Sequence, residues 1–133
     1  MTKVYLSGAI TGIPIDEACQ WRSDIMYKLY GFKVFDPTEH FEEQDLIDGT
    51  ASDREIMDYE LYELRHSDLV IFNCHYPKSI GSAMELAIAH ENRIPILLFN
   101  EKGVNIHPWI KSMGLKEFKS IDDVCEYVKF HFE

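Results

Sequence analysis

The sequence has few cysteines, few basic residues and no long apolar run. Its three cysteines are widely separated and lack C-x-x-C spacing, which argues against a disulfide framework or a zinc site. Only 13 basic residues face 23 acidic ones, and the net charge of −10 would repel a nucleic-acid polymer. No stretch reaches the roughly 18 apolar residues of a membrane span. The histidines form no H-x-x-x-H or H-E-x-x-H pattern, so no metal site is expected.

The composition that remains is that of a globular domain. Hydrophobic residues make up 46% of the 133 residues and aromatic residues 13%, which is enough for a real core. We predict one domain over residues 1–133. The chain passes from Met1 almost directly into a strand without a signal-peptide pattern, so we expect a cytoplasmic protein.

Apolar runs and amphipathic helical patterns alternate along the chain. The predicted strands are Lys3–Ser7, Phe32–Phe35, Leu69–Asn73, Pro95–Phe99 and a weak one near Glu117–Lys119. The predicted helices run from Asp16 to about Tyr30, from about Asp53 to His66, over Ser82–Asn92, and from Ile121 to about Phe132. Residues 37–52 are predicted to be a long, acidic, irregular connection placed to cover the site.

This alternation predicts an α/β fold, a single-domain, doubly wound, parallel sheet of five strands. The expected strand order is the flavodoxin-like 2-1-3-4-5, in which strands 1 and 3 flank the switch point where ligands bind. The loop Gly8–Gly12 follows strand 1, and the loop Pro77–Gly81 follows strand 3. We therefore expect both loops and Glu85 to converge on one pocket.

Glu85 has two interpretations from the sequence. Ser82 and Glu85 match a capping box, in which the glutamate reaches back to the backbone at the helix start. Alternatively, Glu85 projects from the first turn of a helix at the carboxyl edge of a central strand, where it would face a ligand. The spacing alone favours the capping box.

Three segments in order resemble one enzyme family. They are Val4–Gly12 (VYLSGAITG), Ser67–Ile71 (SDLVI) and Ser79–Ala87 (SIGSAMELA). Together they resemble the nucleoside 2-deoxyribosyltransferase family, which includes the 2-deoxynucleoside 5-monophosphate N-glycosidases, over about Lys3 to Trp109. The resemblance implies that Glu85 is the catalytic nucleophile, because it matches the glutamate of the family's G-x-x-x-E-L-x-A segment. It also implies that Tyr5 orients this nucleophile, although a tyrosine in a strand is equally a core residue.

Glu60 is the candidate second carboxylate. It shares the apolar helix face of Met57, Leu61 and Leu64, so its side chain is either enclosed or at the edge of the stripe. Enclosure would raise its pKa and suit it to proton transfer. The family usually has an aspartate at the matching place, and Asp58 is the alternative. An ordinary acid on a helix surface is the other interpretation.

The resemblance and the loop positions also predict the residues that bind substrate. The candidates are Ser7, Gly8, Ile10, Gly12, Asp36, Ser79, Gly81 and His107. Ser79 could contact a 5′-hydroxyl or a phosphate, or could be a turn residue, and Asp36 before Pro37 also fits plain turn chemistry. The nucleotide N-glycosidases have an arginine where Thr11 stands, which leaves nucleoside and nucleotide open. Asp68, at the amino end of a strand, is interpreted as a turn or cap residue.

The segment Asn105–Trp109 predicts assembly. In proteins of the resembled family the segment after the fourth strand completes a neighbouring subunit's site, which makes His107 a candidate contributed by a partner and Trp109 an interface residue. Two-fold association would complete two pockets reciprocally, so we expect a homodimer or a higher homo-oligomer. The alternative is a loop whose tryptophan packs on its own core.

The predicted function is cleavage of the N-glycosidic bond of a nucleoside or nucleotide through a glutamate nucleophile. The deoxyribosyl group would pass to another base or to water, by the two-carboxylate logic of retaining glycosidases. This chemistry requires no metal or organic cofactor, and its partner is a small molecule. The alternatives are a non-catalytic nucleotide-binding module on the same fold and an NAD-type glycohydrolase.

Overall fold

Five parallel strands form the centre of the protein, and helices cover both faces of the sheet. The computed structural model describes residues 1–40 and 49–133. In chain order the elements are β1 (Lys3–Ser7), α1 (Ile15–Lys28), β2 (Lys33–Phe35), α2 (Pro37–His40), α3 (Asp53–Arg65), β3 (Leu69–Asn73), α4 (Ile80–Glu91), β4 (Ile96–Phe99), α5 (Pro108–Met113), β5 (Lys116–Phe118) and α6 (Ile121–His131).

The strand order is β2-β1-β3-β4-β5, which confirms the predicted doubly wound α/β fold. In the sheet Val4 of β1 lies opposite both Val34 of β2 and Leu69 of β3. Strands 1 and 3 are therefore neighbours, although more than 60 residues separate them in the sequence. Their carboxyl ends lie at the switch point, the edge where parallel α/β sheets bind ligands.

Alternate residues of the strands face two separate apolar layers. One layer packs β-strand residues against α1 and α6, and includes Val4, Leu6, Ile25, Leu29, Ile71, Leu97, Phe99, Val124 and Val128. The other packs against α3, α4 and α5, and includes Tyr5, Leu64, Val70, Phe72, Leu86, Leu98 and Ile110. Each fully buried aliphatic side chain contributes about 1.5–3 kcal/mol. Because Tyr5 and Ser7 are two residues apart on β1, both side chains point toward α4.

The helix starts differ in how they are capped. Ser52 and Glu55 form the predicted capping box at α3. Helix α4 begins at Ile80, two residues before the predicted start at Ser82. Ser79 is its N-cap, and in this described segment no side chain forms a capping hydrogen bond. The capping box that the spacing of Ser82 and Glu85 indicates is therefore not formed.

Two segments predicted to be irregular contain short helices. Asp36 accepts hydrogen bonds from the backbone N–H and the hydroxyl of Thr38, and Pro37 opens α2. A proline at the first helical position is favourable because its missing N–H would be unpaired there anyway. The rest of the predicted connection from 41 to 48 lies outside the described residues. Pro108 likewise opens α5 inside the predicted loop after β4.

Candidate active site

The Glu85 carboxylate is held by two hydroxyl groups of β1. The Tyr5 hydroxyl donates to Oε2 of Glu85, and the Ser7 hydroxyl donates to Oε1 over 3.1 Å. Both donors come from the same face of the first strand, while Glu85 comes from the second turn of α4. Glu85 thus has a fixed position at the switch point instead of turning back to cap its own helix.

Burial raises the pKa of Glu85, whereas the hydrogen bonds from Tyr5 and Ser7 and the positive charge of Arg22 oppose that rise. The pKa of the Tyr5 hydroxyl is also raised, first by burial and then by the negative charge of Glu85. Tyr5 therefore keeps its proton and remains a donor. A carboxylate that is desolvated but oriented by donors is a reactive nucleophile once a substrate is positioned against it.

Glu60 on α3, the candidate second carboxylate, is electrostatically coupled to Glu85. Burial, followed by the negative charge of Glu85, raises the pKa of Glu60 to about 7, against a weaker lowering by Arg22. Asp58, the alternative from the sequence, is exposed and pairs with Arg54 at 2.9 Å. Glu60 therefore shares the electrostatic environment of Glu85. With a pKa near neutrality it can both give and take a proton.

Arg22 is a site residue that the sequence analysis missed. Its side chain is fully buried on α1, where Nη1 donates to the carbonyl of Ala18 at 2.5 Å and Nη2 to that of Gly8 at 3.0 Å. Its Nε lies 3.6 Å from the carboxylate of Asp36. Burial lowers the pKa of Arg22, while Asp36 and Glu85 oppose this. The positive charge of Arg22 thus acts on both Glu85 and Glu60. Its hydrogen bond to the Gly8 carbonyl also fixes the start of the loop after β1.

The loop after β1 and the loop after β3 form the two walls of a cleft of about 370 Å³. Its lining residues are Ala9, Thr11, Ile13, His75, Tyr76, Pro77, Lys78 and Ser79. A Cβ atom on Gly8 would lie 2.8 Å from the Trp21 ring, so this position requires glycine for close packing. Gly12 has a positive φ of 81°, which glycine adopts without strain. Ala9 of the cleft wall follows Ser7, the donor to Glu85, by two residues.

A family model described as nucleoside 2-deoxyribosyltransferase like matches residues 1–102. The chain belongs to this family. Among curated protein sequences, none matches the chain.

Solved structures of this fold cover nearly the whole chain. A 2-deoxyribosyltransferase from Bacillus psychrosaccharolyticus superposes with a TM-score of 0.74 at 20% identity, covering 95% of this chain and 92% of its own. A 2-deoxyribosyltransferase from Leishmania mexicana gives a TM-score of 0.74 at 16% identity over 100% of both chains. The CMP N-glycosidase of Clostridium botulinum superposes with a TM-score of 0.60 at 14% identity, covering 98% of this chain and 100% of its own. At these identities the superpositions show the shared fold.

In this nucleoside 2-deoxyribosyltransferase-like chain, several predicted substrate-binding residues belong to the two loops that form the cleft. Ser79 lines the cleft and donates from its hydroxyl to that of Ser82 at 2.9 Å. Gly81 is exposed, and a Cβ atom there would meet no atom within 4 Å. Ile10 lies between two residues of the cleft wall and is half-buried.

Three predicted or considered residues have other surroundings. Asp36 is buried, and its Oδ1 accepts hydrogen bonds from the backbone N–H and the hydroxyl of Thr38, as its interpretation as a turn residue predicts. The same carboxylate also pairs with Arg22. His107 is exposed and caps α5 through its Nδ1, which accepts the backbone N–H of Trp109 at 3.1 Å. Asp68 lies at the opposite end of the sheet and accepts the backbone N–H of Lys3, as its interpretation as a cap predicts.

Within residues 1–40 and 49–133, no three His, Cys, Asp or Glu side chains are grouped to hold a metal ion. His75, beside the cleft, accepts backbone N–H groups of Glu101 and Lys102 through its Nε2. Burial, then the positive charge of Lys102, lowers the pKa of His75, so it is neutral at pH 7. In the described part of the chain, no helix has the length and apolar character needed to cross a membrane.

Proposed function

We propose that this protein cleaves the N-glycosidic bond of a nucleoside or nucleotide, with Glu85 as the nucleophile. The observation that carries the proposal is the Glu85 carboxylate held by Tyr5 and Ser7, with Glu60 of raised pKa in the same electrostatic environment. Membership of the nucleoside 2-deoxyribosyltransferase-like family supports the same reaction class. Residues 1–133 would act as one catalytic domain.

In the first step, an Oε atom of Glu85 attacks the anomeric carbon of the sugar, and the carbon–nitrogen bond breaks. The bonding electron pair leaves on the base nitrogen, which takes a proton from Glu60. The product is an ester between the sugar and Glu85. Tyr5 and Ser7 keep the carboxylate oriented toward the sugar, which removes the entropic cost of aligning the nucleophile.

In the second step, a free base or water attacks the anomeric carbon and releases the Glu85 carboxylate. Glu60, now deprotonated, accepts the proton of the incoming group. Transfer and hydrolysis share every protein residue of this sequence of steps. They differ in which acceptor occupies the place vacated by the first base.

Incubation with a single deoxynucleoside or its monophosphate, with and without a second free base, tests this function. We expect free base in both reactions if water is the acceptor, and exchange only with added base if the enzyme is a transferase. Calorimetric binding across a broad substrate panel without any free base would contradict catalysis and indicate a binding module. Release of nicotinamide from NAD, without turnover of any nucleoside or nucleotide, would instead indicate an NAD-type glycohydrolase.

We also propose that the active form is a homodimer or a higher homo-oligomer and that His107 contributes to the partner's site. Trp109 is 76% exposed, Ile80 72% and Met84 61%, so apolar side chains of α4 and α5 lie open to solvent. The alternative that Trp109 packs on its own core is therefore wrong. Exposed apolar groups of this kind are typical of subunit interfaces.

Mixing inactive Glu85→Gln with inactive His107→Ala under subunit exchange tests this assembly. Half of the dimers at equal mixing are mixed, and each has one intact pocket of two, so we expect roughly one quarter of wild-type activity. Each variant mixed with itself is the control and should stay inactive. A monomer in sedimentation with full activity, or an active His107→Ala variant, would contradict the proposal.

A further inference from the structure

Arg22 and Asp36 form an ion pair in the interior of the protein. The side chain of Arg22 has no exposed surface, and that of Asp36 is 2% exposed. Nε of Arg22 lies 3.6 Å from Oδ1 of Asp36. The desolvation of two buried charges often costs as much as their attraction returns, so a buried ion pair is weak evidence for a stabilising role. We therefore looked for a role of this pair in the site.

The pairing of the two groups is incomplete. Nε of Arg22 is a buried donor that has no hydrogen-bond acceptor within residues 1–40 and 49–133. Oδ1 of Asp36, the atom nearest to it, instead accepts two hydrogen bonds from Thr38. A buried donor without an acceptor lowers stability, so packing alone does not account for an arginine here. The charge of Asp36 cancels the field of Arg22 only in part, because that field still lowers the pKa values of Glu85 and Glu60.

The ionisable groups that interact with the charge of Arg22 come from several elements of the fold. They are Asp36 after β2, Glu85 on α4, Tyr5 on β1, Cys19 on α1 and Glu60 on α3. Arg22 is the cation of this set, and an arginine keeps its proton in proteins. Without its charge, burial would favour the protonated form of Glu85, and a protonated carboxyl group is a poor nucleophile.

Arg22 also fixes the backbone beside a donor to Glu85. Its Nη2 donates to the carbonyl of Gly8 at 3.0 Å, and Gly8 follows Ser7, whose hydroxyl donates to Glu85. Its Nη1 donates to the carbonyl of Ala18 on its own helix at 2.5 Å. The planar guanidinium thus joins α1 to the end of β1 with two donors in fixed directions, which the single ammonium group of a lysine does not reproduce.

We infer that Arg22 is a positioning residue for Glu85: it fixes the backbone beside Ser7 and keeps the Glu85 carboxylate ionised, while Asp36 limits the positive charge that reaches it. The inference rests on the proposed function and names the groups that set the pH range of the nucleophile. Because Arg22 is fully buried, it acts through Glu85 and Ser7 without touching the substrate. Its charge extends the range in which Glu85 can attack toward lower pH.

Two variants with opposite effects on charge test this inference. Arg22→Met removes the positive charge, so the pKa of Glu85 should rise by about 1 pH unit. Asp36→Asn removes the negative charge, so the pKa of Glu85 should fall by roughly half a unit, while Oδ1 still accepts the hydrogen bonds from Thr38. Carboxyl NMR titration of protein labelled with ¹³C-glutamate measures both shifts, and Glu85→Gln identifies the Glu85 signal. Shifts of opposite sign support the inference.

Matched controls come from an exposed ion pair that joins α1 to α6. Lys28 and Asp122 form this pair at 2.5 Å, and their side chains are 40% and 71% exposed. Solvent and salt screen such charges, so Lys28→Met and Asp122→Asn should leave the pKa of Glu85 unchanged. Arg22→Lys should keep this pKa within about 0.3 units of wild type and lower kcat by about 10-fold at unchanged KM, because the charge remains while the fixed donors are lost.

The titration requires no turnover, which separates this inference from the proposed function. If Arg22→Met does not fold, Asp36→Asn decides, because asparagine suits the same turn. An unchanged or raised pKa of Glu85 in Asp36→Asn overturns the inference even in an active enzyme. The expected shifts in a protein that releases no base contradict the proposed function and leave the electrostatic role of Arg22 standing.

In an active enzyme, the pH dependence of kcat/KM adds a second readout. Its acidic limb, measured from about pH 4 to 8, reports ionisation of the nucleophile in the free enzyme. The limb should move to higher pH in Arg22→Met and to lower pH in Asp36→Asn. A raised KM in Asp36→Asn with an unmoved limb would show that Asp36 contacts the substrate, and this result would overturn the inference.

Discussion

Replacement of Glu85 by glutamine is expected to lower turnover by about 10³-fold or more, because the amide cannot form the sugar ester. Glutamine has nearly the same shape, and its carbonyl oxygen can still accept a hydrogen bond from Tyr5 or Ser7. The substrate should therefore still bind. The loss should appear in kcat at nearly unchanged substrate affinity, which steady-state kinetics and calorimetry measure together.

The same substitution should not destabilise the protein at neutral pH. Since burial raises the pKa of Glu85 in the folded state, the folded form binds its proton more tightly than the unfolded form. Above the ordinary pKa of a glutamate, the ionised carboxylate therefore lowers the stability of the folded protein. Glutamine does not ionise and removes this cost. Thermal unfolding at pH 7 should give a Tm equal to or above that of wild type.

Glu91→Gln is the matched control for Glu85→Gln, because Glu91 is an exposed glutamate at the end of the same helix. It should keep full activity. Mass spectrometry after reaction with a 2-fluoro nucleoside analogue should find the sugar on Glu85 in wild type and on no residue of Glu85→Gln. Turnover of Glu85→Gln at the wild-type rate would refute the mechanism.

The fold was predictable because its signals are local and repeated. Short apolar runs such as Leu69–Asn73 alternate with helical patterns, and right-handed crossovers leave few arrangements for such a chain. The short helix α2, which the sequence analysis predicted as irregular, has a local cause as well. Asp36 and Pro37 stop a strand, but an aspartate before a proline also caps and opens a helix, and the pattern does not distinguish the two.

The site was less predictable, because its contacts join distant parts of the chain. The spacing of Ser82 and Glu85 indicates a capping box, yet the partners of Glu85 are Tyr5 and Ser7, about 80 residues away. Arg22 lies on the stripe of Ala18 and Ile25 along α1, which was the available signal. An arginine is ordinarily at the surface, and its acceptors on other elements are not visible in a helical pattern.

Glu60→Gln is expected to lower turnover by about 10²- to 10⁴-fold, the usual contribution of a positioned general acid. In wild type, Glu60 has a pKa of about 7 and is protonated below that pH, so the rate of base departure should fall as the pH rises through 7. The variant should lose this pH dependence, because glutamine does not titrate. Rates from pH 5 to 9 measure both effects.

Asp58→Asn is the matched control, because Asp58 lies on the same helix but is exposed and paired with Arg54. It should keep both the rate and the pH profile. A substrate whose base leaves without protonation should recover most of the rate of the first step in Glu60→Gln, measured as the initial burst of released base, because the missing proton is then not needed. The second step should stay slow, because the variant still lacks the base that accepts a proton from the incoming group. If Glu60 instead only positions Glu85, the variant loses activity equally on good and poor leaving groups. That equal loss would exclude proton transfer by Glu60 while leaving Glu85 as the nucleophile.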